Sequence, residues 1–231
     1  SIGDFVWEDL NANGLQDDEP GIEGVAVILS GVLNDNEGTV IAPMTTTTDE
    51  IGAYIFDGLI PGDYIVTFEA TTELTAGTAN LTEEDVTGGD SDATDVANDS
   101  DPTMITGAAE TITLSSGENY TDIDAGYFAP ANISHEKSFV EAIPNADCTY
   151  TVTYAINVIN EGGITGQYSL FDQPDYDDDI EIFSAHYTFN GGSNIMLTGE
   201  GPWQLADGQS LARDEEDIYI LTVVVGIDLE D

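Results

Sequence analysis

Apolar residues recur along this chain in short alternating runs, broken by clusters of Gly, Asn and Asp, and no long stretch keeps a helical period. Val, Ile, Thr, Tyr and Phe dominate the runs, so the chain reads as all-β. In the first half the candidate strands are 3–8, 22–30, 38–48, 52–57, 62–69, 109–114 and 119–128, enough for a seven-stranded sandwich. The clearest pair is 52–56 followed by 62–68: Tyr54 and Phe56 share one face, Tyr64, Val66 and Phe68 share another, and Pro61-Gly62 turns the chain between them. Between 71 and 108 apolar density falls and Thr, Gly, Asn and Asp take over, which predicts a long loop with a task of its own. The run 150–163 alternates again and then turns. Ile218 to Val225 is a strongly apolar strand with only a short tail after it. That position predicts an exposed edge, open to strand addition by another chain or by the continuation of this one.

Charge changes the picture. The 231 residues carry 46 acidic side chains against two basic ones, Lys137 and Arg213, for a formal net charge of -44. With 41% hydrophobic residues the chain can still build real cores, so it is not a disordered acidic tail. Self-repulsion on this scale destabilises a compact state unless cations or a salty medium screen it. A halophilic surface predicts acids scattered over every exposed face, whereas a calcium protein predicts Asp gathered in Asn/Gly/Asp loops. The chain shows some of both, with clusters at 9–19, 90–101 and 172–181. Such a polyanion is repelled by phosphate backbones and anionic lipid, and no segment is long and apolar enough to span a bilayer. One cysteine, Cys148, excludes an internal disulfide framework.

The most organised cluster follows the first strand. Calcium loops present oxygens at alternate positions 1, 3, 5, 7 and 9, with a glycine at 6 for the sharp turn. Here those positions are Asp9, Asn11, Asn13, Leu15 through its carbonyl, and Asp17, with Gly14 at the sixth. Pro20 stands where the closing acid is expected, and Glu19 comes one residue early, so Glu19, Asp18 or an acid from another loop must close the shell. Asp4 and Asp124 flank apolar strand residues, where they either join a site or cap turns.

Taken in order, Gly3-Asp4-Phe5-Val6-Trp7 with the Asp9 loop, Glu19-Pro20-Gly21-Ile22-Glu23-Gly24-Val25, the 52–68 hairpin, Asp90-Ser91-Asp92 and Ile123-Asp124-Ala125-Gly126-Tyr127 resemble the calcium-binding B repeats of serine-aspartate-repeat surface adhesins, a branch of the collagen-adhesin B-type domains. The resemblance implies a transthyretin-like Greek-key sandwich over 1–129, with calcium ligands also in the Ser-Asp region: Asp90, Asp92, Asp99 and Asp101. Residues 130–231 resemble the conserved-repeat, immunoglobulin-like domains of prokaryotic surface proteins, carried by Tyr150-Thr151-Val152-Thr153-Tyr154, Val158 to Gly163 and Asp172-Gln173-Pro174. Collagen-adhesin-type domains also lock themselves with a lysine–asparagine isopeptide bond. The first domain has no lysine, so that bond is excluded there, and in the second the resemblance offers Lys137 with Asn157 or Asn160.

The remaining acids 172–181 lack alternating loop grammar and read as a solvated turn, with calcium as the alternative. His135 and His186 are isolated, and no HExxH, CxxC or phosphate-cradling glycine motif is present. Paired acids could suggest a glycosidase, but nothing marks an aromatic-lined cleft, and the chain is read as non-catalytic. The expectation is an extracellular, cell-surface structural module: a Ca²⁺-stiffened stalk or a subunit of a fibre, associating with neighbouring domains or with itself. The alternative is an adhesive module that holds a protein or glycan.

Overall fold

The computed structural model describes residues 1–16, 18–70, 74, 79–82 and 99–227. All regular structure among them is β-sheet, in two compact units, Ser1–Pro130 and Ala131–Asp231.

The first unit is built from β1 (Ile2–Glu8), β2 (Ala26–Leu33), β3 (Val40–Thr47), β4 (Ala53–Phe56), β5 (Gly62–Phe68), β6 (Asn80–Leu81), β7 (Ile112–Leu114) and β8 (Ala125–Phe128). They form two four-stranded sheets, ordered β4-β1-β8-β6 and β3-β2-β5-β7. Alternation does the sorting: in β5 the residues Tyr64, Val66 and Phe68 are buried while Asp63 and Ile65 face outward. They meet Ile2 and Val6 of β1, Tyr54 and Phe56 of β4, and Ala125 and Tyr127 of β8 in one core. Burying about ten such side chains, each worth roughly 1.5–3 kcal/mol, dominates the unit's stability. β1 is central because it pairs antiparallel with β4 over residues 2–5 and parallel with β8 over residues 6–8. Trp7 packs against Gly126 of β8: a Cβ there would meet Thr82 Oγ1 at 2.4 Å and the Trp7 ring at 2.8 Å, so only glycine fits. β6 arises inside the segment expected to be a plain loop, where its two residues carry too little pattern to read.

The second unit contains β9 (Ile133–Pro144), β10 (Tyr150–Asn160), β11 (Gly166–Asp172), β12 (Ile180–Phe189), β13 (Ile195–Leu197), β14 (Trp203–Leu211) and β15 (Glu216–Ile227). Five strands form one sheet, β13-β12-β15-β10-β9, and β11 and β14 form the facing pair. Val152, Ile156 and Val158 from β10 and Tyr219, Leu221 and Val223 from β15 pack against Leu170, Trp203 and Leu205 from the pair. Trp203 and Tyr187 are core residues, and the Tyr187 hydroxyl donates to the Leu205 carbonyl at 3.0 Å.

The expected open edge at the end of the chain is corrected by this topology. β15 is the middle strand of its sheet, laddered to β10 along residues 150–159 and to β12 along 180–189. Both edges of β15 are thus taken by neighbouring strands, and among the described residues the C-terminal strand offers no free edge for strand addition. In this five-stranded sheet the outer strands are β13, only three residues long, and β9, exposed at eleven of its twelve positions. β9 carries a bulge opposite Thr153/Tyr154, a lysine turned toward the facing pair, and Pro144 at its end. Each of these discourages pairing with another chain.

Two measurements check this placement. Amide hydrogen exchange should find β15 among the slowest amides of the second unit and the outward-facing amides of β9 among the fastest; equal rates would contradict the strand order. Leu221→Ala, at a fully buried position of β15, is expected to cost about 2–5 kcal/mol in urea unfolding, against less than about 1 kcal/mol for Val140→Ala on exposed β9.

Candidate metal centre

The Asp9 loop closes on its own first carboxylate. Asp9 is 1% exposed, and its backbone N–H donates to the Tyr127 carbonyl at 2.8 Å, which pins the loop to the end of β8. Its Oδ1 accepts the N–H groups of Asn11 and Asn13 at 3.3 and 3.2 Å, and its Oδ2 accepts that of Gly14 at 2.8 Å. Asn11 Oδ1 accepts the Asn13 N–H at 2.9 Å and Asn13 Oδ1 accepts the Leu15 N–H at 2.8 Å, so the alternate positions are successive Asx turns. Gly14 takes φ 75°, which explains a glycine at the sixth position. Glu19 does reach the loop: its Oε1 accepts the Leu10 N–H at 2.7 Å.

The far end of the long segment comes back to the same place. Leu15 and Asp99 form an antiparallel bridge, and the Ser100 N–H donates to the Gly14 carbonyl at 3.1 Å. Ser100 Oγ accepts the Gly126 N–H at 3.2 Å, Asp101 N–H donates to the Asp124 carbonyl at 3.0 Å, and Asp101 Oδ2 accepts the Asp124 N–H at 2.6 Å. Asp99 and Ser100 are buried. The Asp99–Ser100–Asp101 segment is therefore stitched between the Asp9 loop and the start of β8.

A second acidic group forms beside it. Asp124, 2% exposed, accepts the Phe5 N–H through Oδ1 at 3.0 Å. Burial pushes its carboxyl up to about 9, helped by Asp4, Asp101 and Asp122 and opposed by the Phe5 N–H. Burial likewise raises Asp101 to about 7, against the Asp124 N–H and with Asp99, Asp122 and Asp4 adding to it. Asp4 is raised to about 6, by burial first and then by Asp122. Sequence reasoning noticed Asp4 and Asp124 and missed Asp122, which carries no loop grammar and matters only through where β8 begins.

Of the expected ligands, the structure brings together Asp9, Asn11, Asn13, Leu15, Glu19 and Asp99, with Asp101 one step away. Asp17, Asp90 and Asp92 lie outside the described residues, as do Asp95 and Asn98. Among the described residues no three acidic, histidine or cysteine side chains converge as a closed cage. Calcium shells draw heavily on amide and backbone oxygens, however, and the chemistry here suits that use. A carboxylate offers about four lone-pair sites and the bonds above take three of those on Asp9, while Asn11 Oδ1 accepts one N–H. The donor set, all oxygen and without a basic neighbour, fits a hard cation.

In the second unit Lys137 does not approach either asparagine. Its Nζ meets Asp172 Oδ1 at 2.5 Å and lies 4.5 Å from the centre of the Tyr154 ring. Lys137 stands opposite Ile156, so Asn157 points to the other face, and Asn160 is four residues, roughly 13 Å, along β10. Asn160 is also spent: it donates to the Ile164 and Leu211 carbonyls and accepts from Asn132 and Gly162 N–H. The lysine–asparagine pairing is thus replaced by a lysine–aspartate bridge between the two sheets. Asp175, Asp177, Asp178 and Asp179 stand exposed. Asp217 is buried and accepts from Tyr168 Oη at 2.6 Å and Asn190 Nδ2 at 2.8 Å. Cys148 is free and exposed in the β9–β10 turn.

The model of the SdrD B-like domain matches residues 1–127, through both acidic groups. Serine-aspartate repeat-containing protein F of Staphylococcus epidermidis is 41% identical over 129 residues, 55% of this chain and 6% of that protein. Serine-aspartate repeat-containing protein I of Staphylococcus saprophyticus is 53% identical over 79 residues, 34% of this chain and 4% of that one. The chain thus spans only a small fraction of the length of these relatives, which are staphylococcal cell-surface adhesins. Among solved structures the full-length major pilin SpaD from Corynebacterium diphtheriae aligns over 98% of this chain and 57% of its own, at 13% identity and a TM-score of 0.28, too low to carry an argument. The family match covers more than half of the chain and contains the whole Asp9 loop and the Asp4–Asp101–Asp124 group, so the chain belongs to the SdrD B-like domain family.

Proposed function

We propose that this chain is a non-catalytic spacer module of an extracellular surface protein, stiffened by Ca²⁺ at the Asp9 loop. One observation carries the reading: buried and half-buried carboxylates gather where three loops meet, in a unit that has no lysine or arginine at all. Without a cation the group must either hold protons or bear its own repulsion. Asp9, Asn11, Asn13, the Leu15 carbonyl, Glu19 and Asp99 would hold the ion, with Asp17, Asp90, Asp92 and Asp101 as further candidates. Calcium there supplies positive charge and ties the β1–β2 loop to the 99–101 segment and to β8. The ion's work is mechanical: it holds distant parts of the chain together where no disulfide or ion pair can.

A fibrinogen-binding protein of Staphylococcus epidermidis and a bone sialoprotein-binding protein of Staphylococcus aureus are among the relatives, but the chain covers 7% and 8% of them. Ligand capture by those proteins is compatible with a spacer role for the part they share with this chain.

Calorimetric unfolding in calcium, in chelator and in matched sodium chloride tests the proposal. Calcium at a hundred times its dissociation constant should stabilise the first unit by about 2.7 kcal/mol, a rise on the order of 10 °C that chelator removes. A midpoint indifferent to chelator and raised only by sodium would replace calcium with general screening.

The same unit should respond to pH in a definite direction. Asp4, Asp101 and Asp124 have folded values of about 6, 7 and 9, above the ordinary 3.8, so between those limits the folded state binds more protons than the unfolded one. Stability is then greatest below about 4 and falls as pH rises toward about 9. In chelator the first unit's midpoint should fall steadily across that window. In saturating calcium the fall should shrink or reverse, because the ion competes with protons for the ionised carboxylates; an unchanged slope would count against cation binding at this group.

A further inference from the structure

Strand direction sets how the second unit meets tension. β9 and β15 both run antiparallel to β10, so they are parallel to each other with β10 between them. Ile133 opens β9 opposite Asn160, whereas Tyr150, at the other end of β10, stands opposite Pro144 at the end of β9 and Val225 near the end of β15. The chain therefore enters the sheet at one end of its strands and leaves at the other. From Ile133 to Ile227 is about 40 Å along the strands and about 10 Å across them, at ~3.4 Å per residue and ~4.8 Å per strand. A pull between these points runs nearly parallel to the strands, and the inter-strand hydrogen bonds lie perpendicular to it. They are loaded in shear, all together, rather than opened one at a time.

The two strands are not held equally. β15 is laddered on both sides, to β10 and β12, whereas β9 is laddered only to β10 and is exposed over most of its length. Two side-chain ties connect this part of the chain to the facing pair. At the entry, buried Asn160 accepts the Asn132 N–H at 3.1 Å and donates to the Leu211 carbonyl of β14 at 3.1 Å. Midway along β9, Lys137 bridges to Asp172 of β11, whose side chain is only 8% exposed, so solvent screens the pair weakly.

We infer that the second unit is a load-bearing element in which tension passes in shear from β9 through β10 to β15, with the Lys137–Asp172 bridge as the catch that keeps β9 from sliding. A slip of one residue turns Lys137 to the outer face, and a slip of two carries it about 7 Å from its partner. Either breaks the bridge before the ladder can re-form in a new register. β9, held on one side only, is the strand that yields. The inference extends the spacer reading to the second unit and needs no cation there.

Single-molecule force spectroscopy on the full chain tests it in two pulling geometries. In the first, handles at the two ends of the chain load β9 against β15. In the second, one handle sits on Cys148, the chain's single cysteine, exposed in the β9–β10 turn, and the other at the C-terminal end. That turn lies at the same end of the sheet as the exit from β15, so the second pull unzips β10 from β15 rung by rung. In the end-to-end pull, the second unit is told from the first by the shorter length of chain it releases. Its unfolding should need a several-fold higher force end to end than from Cys148; equal forces would overturn the shear path.

The double variant Lys137→Met/Asp172→Asn leaves no buried charge without a partner. It should raise the end-to-end unfolding rate at fixed force by roughly tenfold or more, the worth of one hydrogen bond between charged groups. Its force from Cys148 should match the parent's, which also shows that the variant is folded. An end-to-end rate equal to the parent's would overturn the catch. Both results are expected alike in calcium and in chelator, so this inference and the calcium reading of the first unit fail separately.

Discussion

The first unit must fold without a single basic side chain, and most of what is distinctive in it follows from that constraint. Its carboxylates turn to the backbone instead. Asp9 takes three N–H groups of its own loop. Asp35 takes those of Glu37 and Thr39 with the Thr39 hydroxyl, and Asp49 takes those of Ile51 and Ala53. In each case the charge is met by dipoles a few residues away, and the same bonds shape the turn that connects two strands. Acidity and β-architecture are thereby made compatible: the loops that join the strands are the places where the charge is spent.

The device works only where water remains. Asp35, fully exposed, is held below the ordinary carboxylate range by the Thr39 hydroxyl and N–H, whereas Asp124, with one N–H but almost no solvent, is pushed far above it. The difference is desolvation, and it concentrates the electrostatic cost of folding at the junction of β1, β8 and the 99–101 segment. A divalent ion bound there would act on the groups that the backbone alone leaves undercompensated. The second unit, with one lysine, solves the smaller version of the problem differently: Asp172 takes Lys137, and Asp217 takes a tyrosine hydroxyl and an asparagine amide.

The legible parts of the fold were those written locally. Strand positions follow from a period of two, and the Asp9 loop follows from a spacing that makes successive Asx turns, so both could be read from a dozen residues at a time. What could not be read was assembled over distance. Asp101 and Asp124 are 23 residues apart and meet only because the 99–101 segment runs along the start of β8. Lys137 and Asp172 come from different sheets, while the asparagines that the family resemblance offered lie on the wrong face or are fully bonded. Asp122 had no pattern of its own to signal it.

Strand order is the deepest instance of this limit. Ile218 to Val225 looked like an open edge because little follows it, yet an apolar run also suits a central strand: Tyr219, Leu221 and Val223 are buried against the facing pair, while Ile218 is exposed on the other face. Chain order cannot separate the two; only the ladder can, and it inserts β15 between β12 and β10. The strand left outside is β9, and its composition fits that place: eleven exposed positions, a bulge, a lysine turned inward and a terminal proline. In the first unit the edges are likewise short or interrupted, with two residues in β6, four in β4, and Pro43 and a bulge along β3. Edges guarded in this way discourage pairing with another chain.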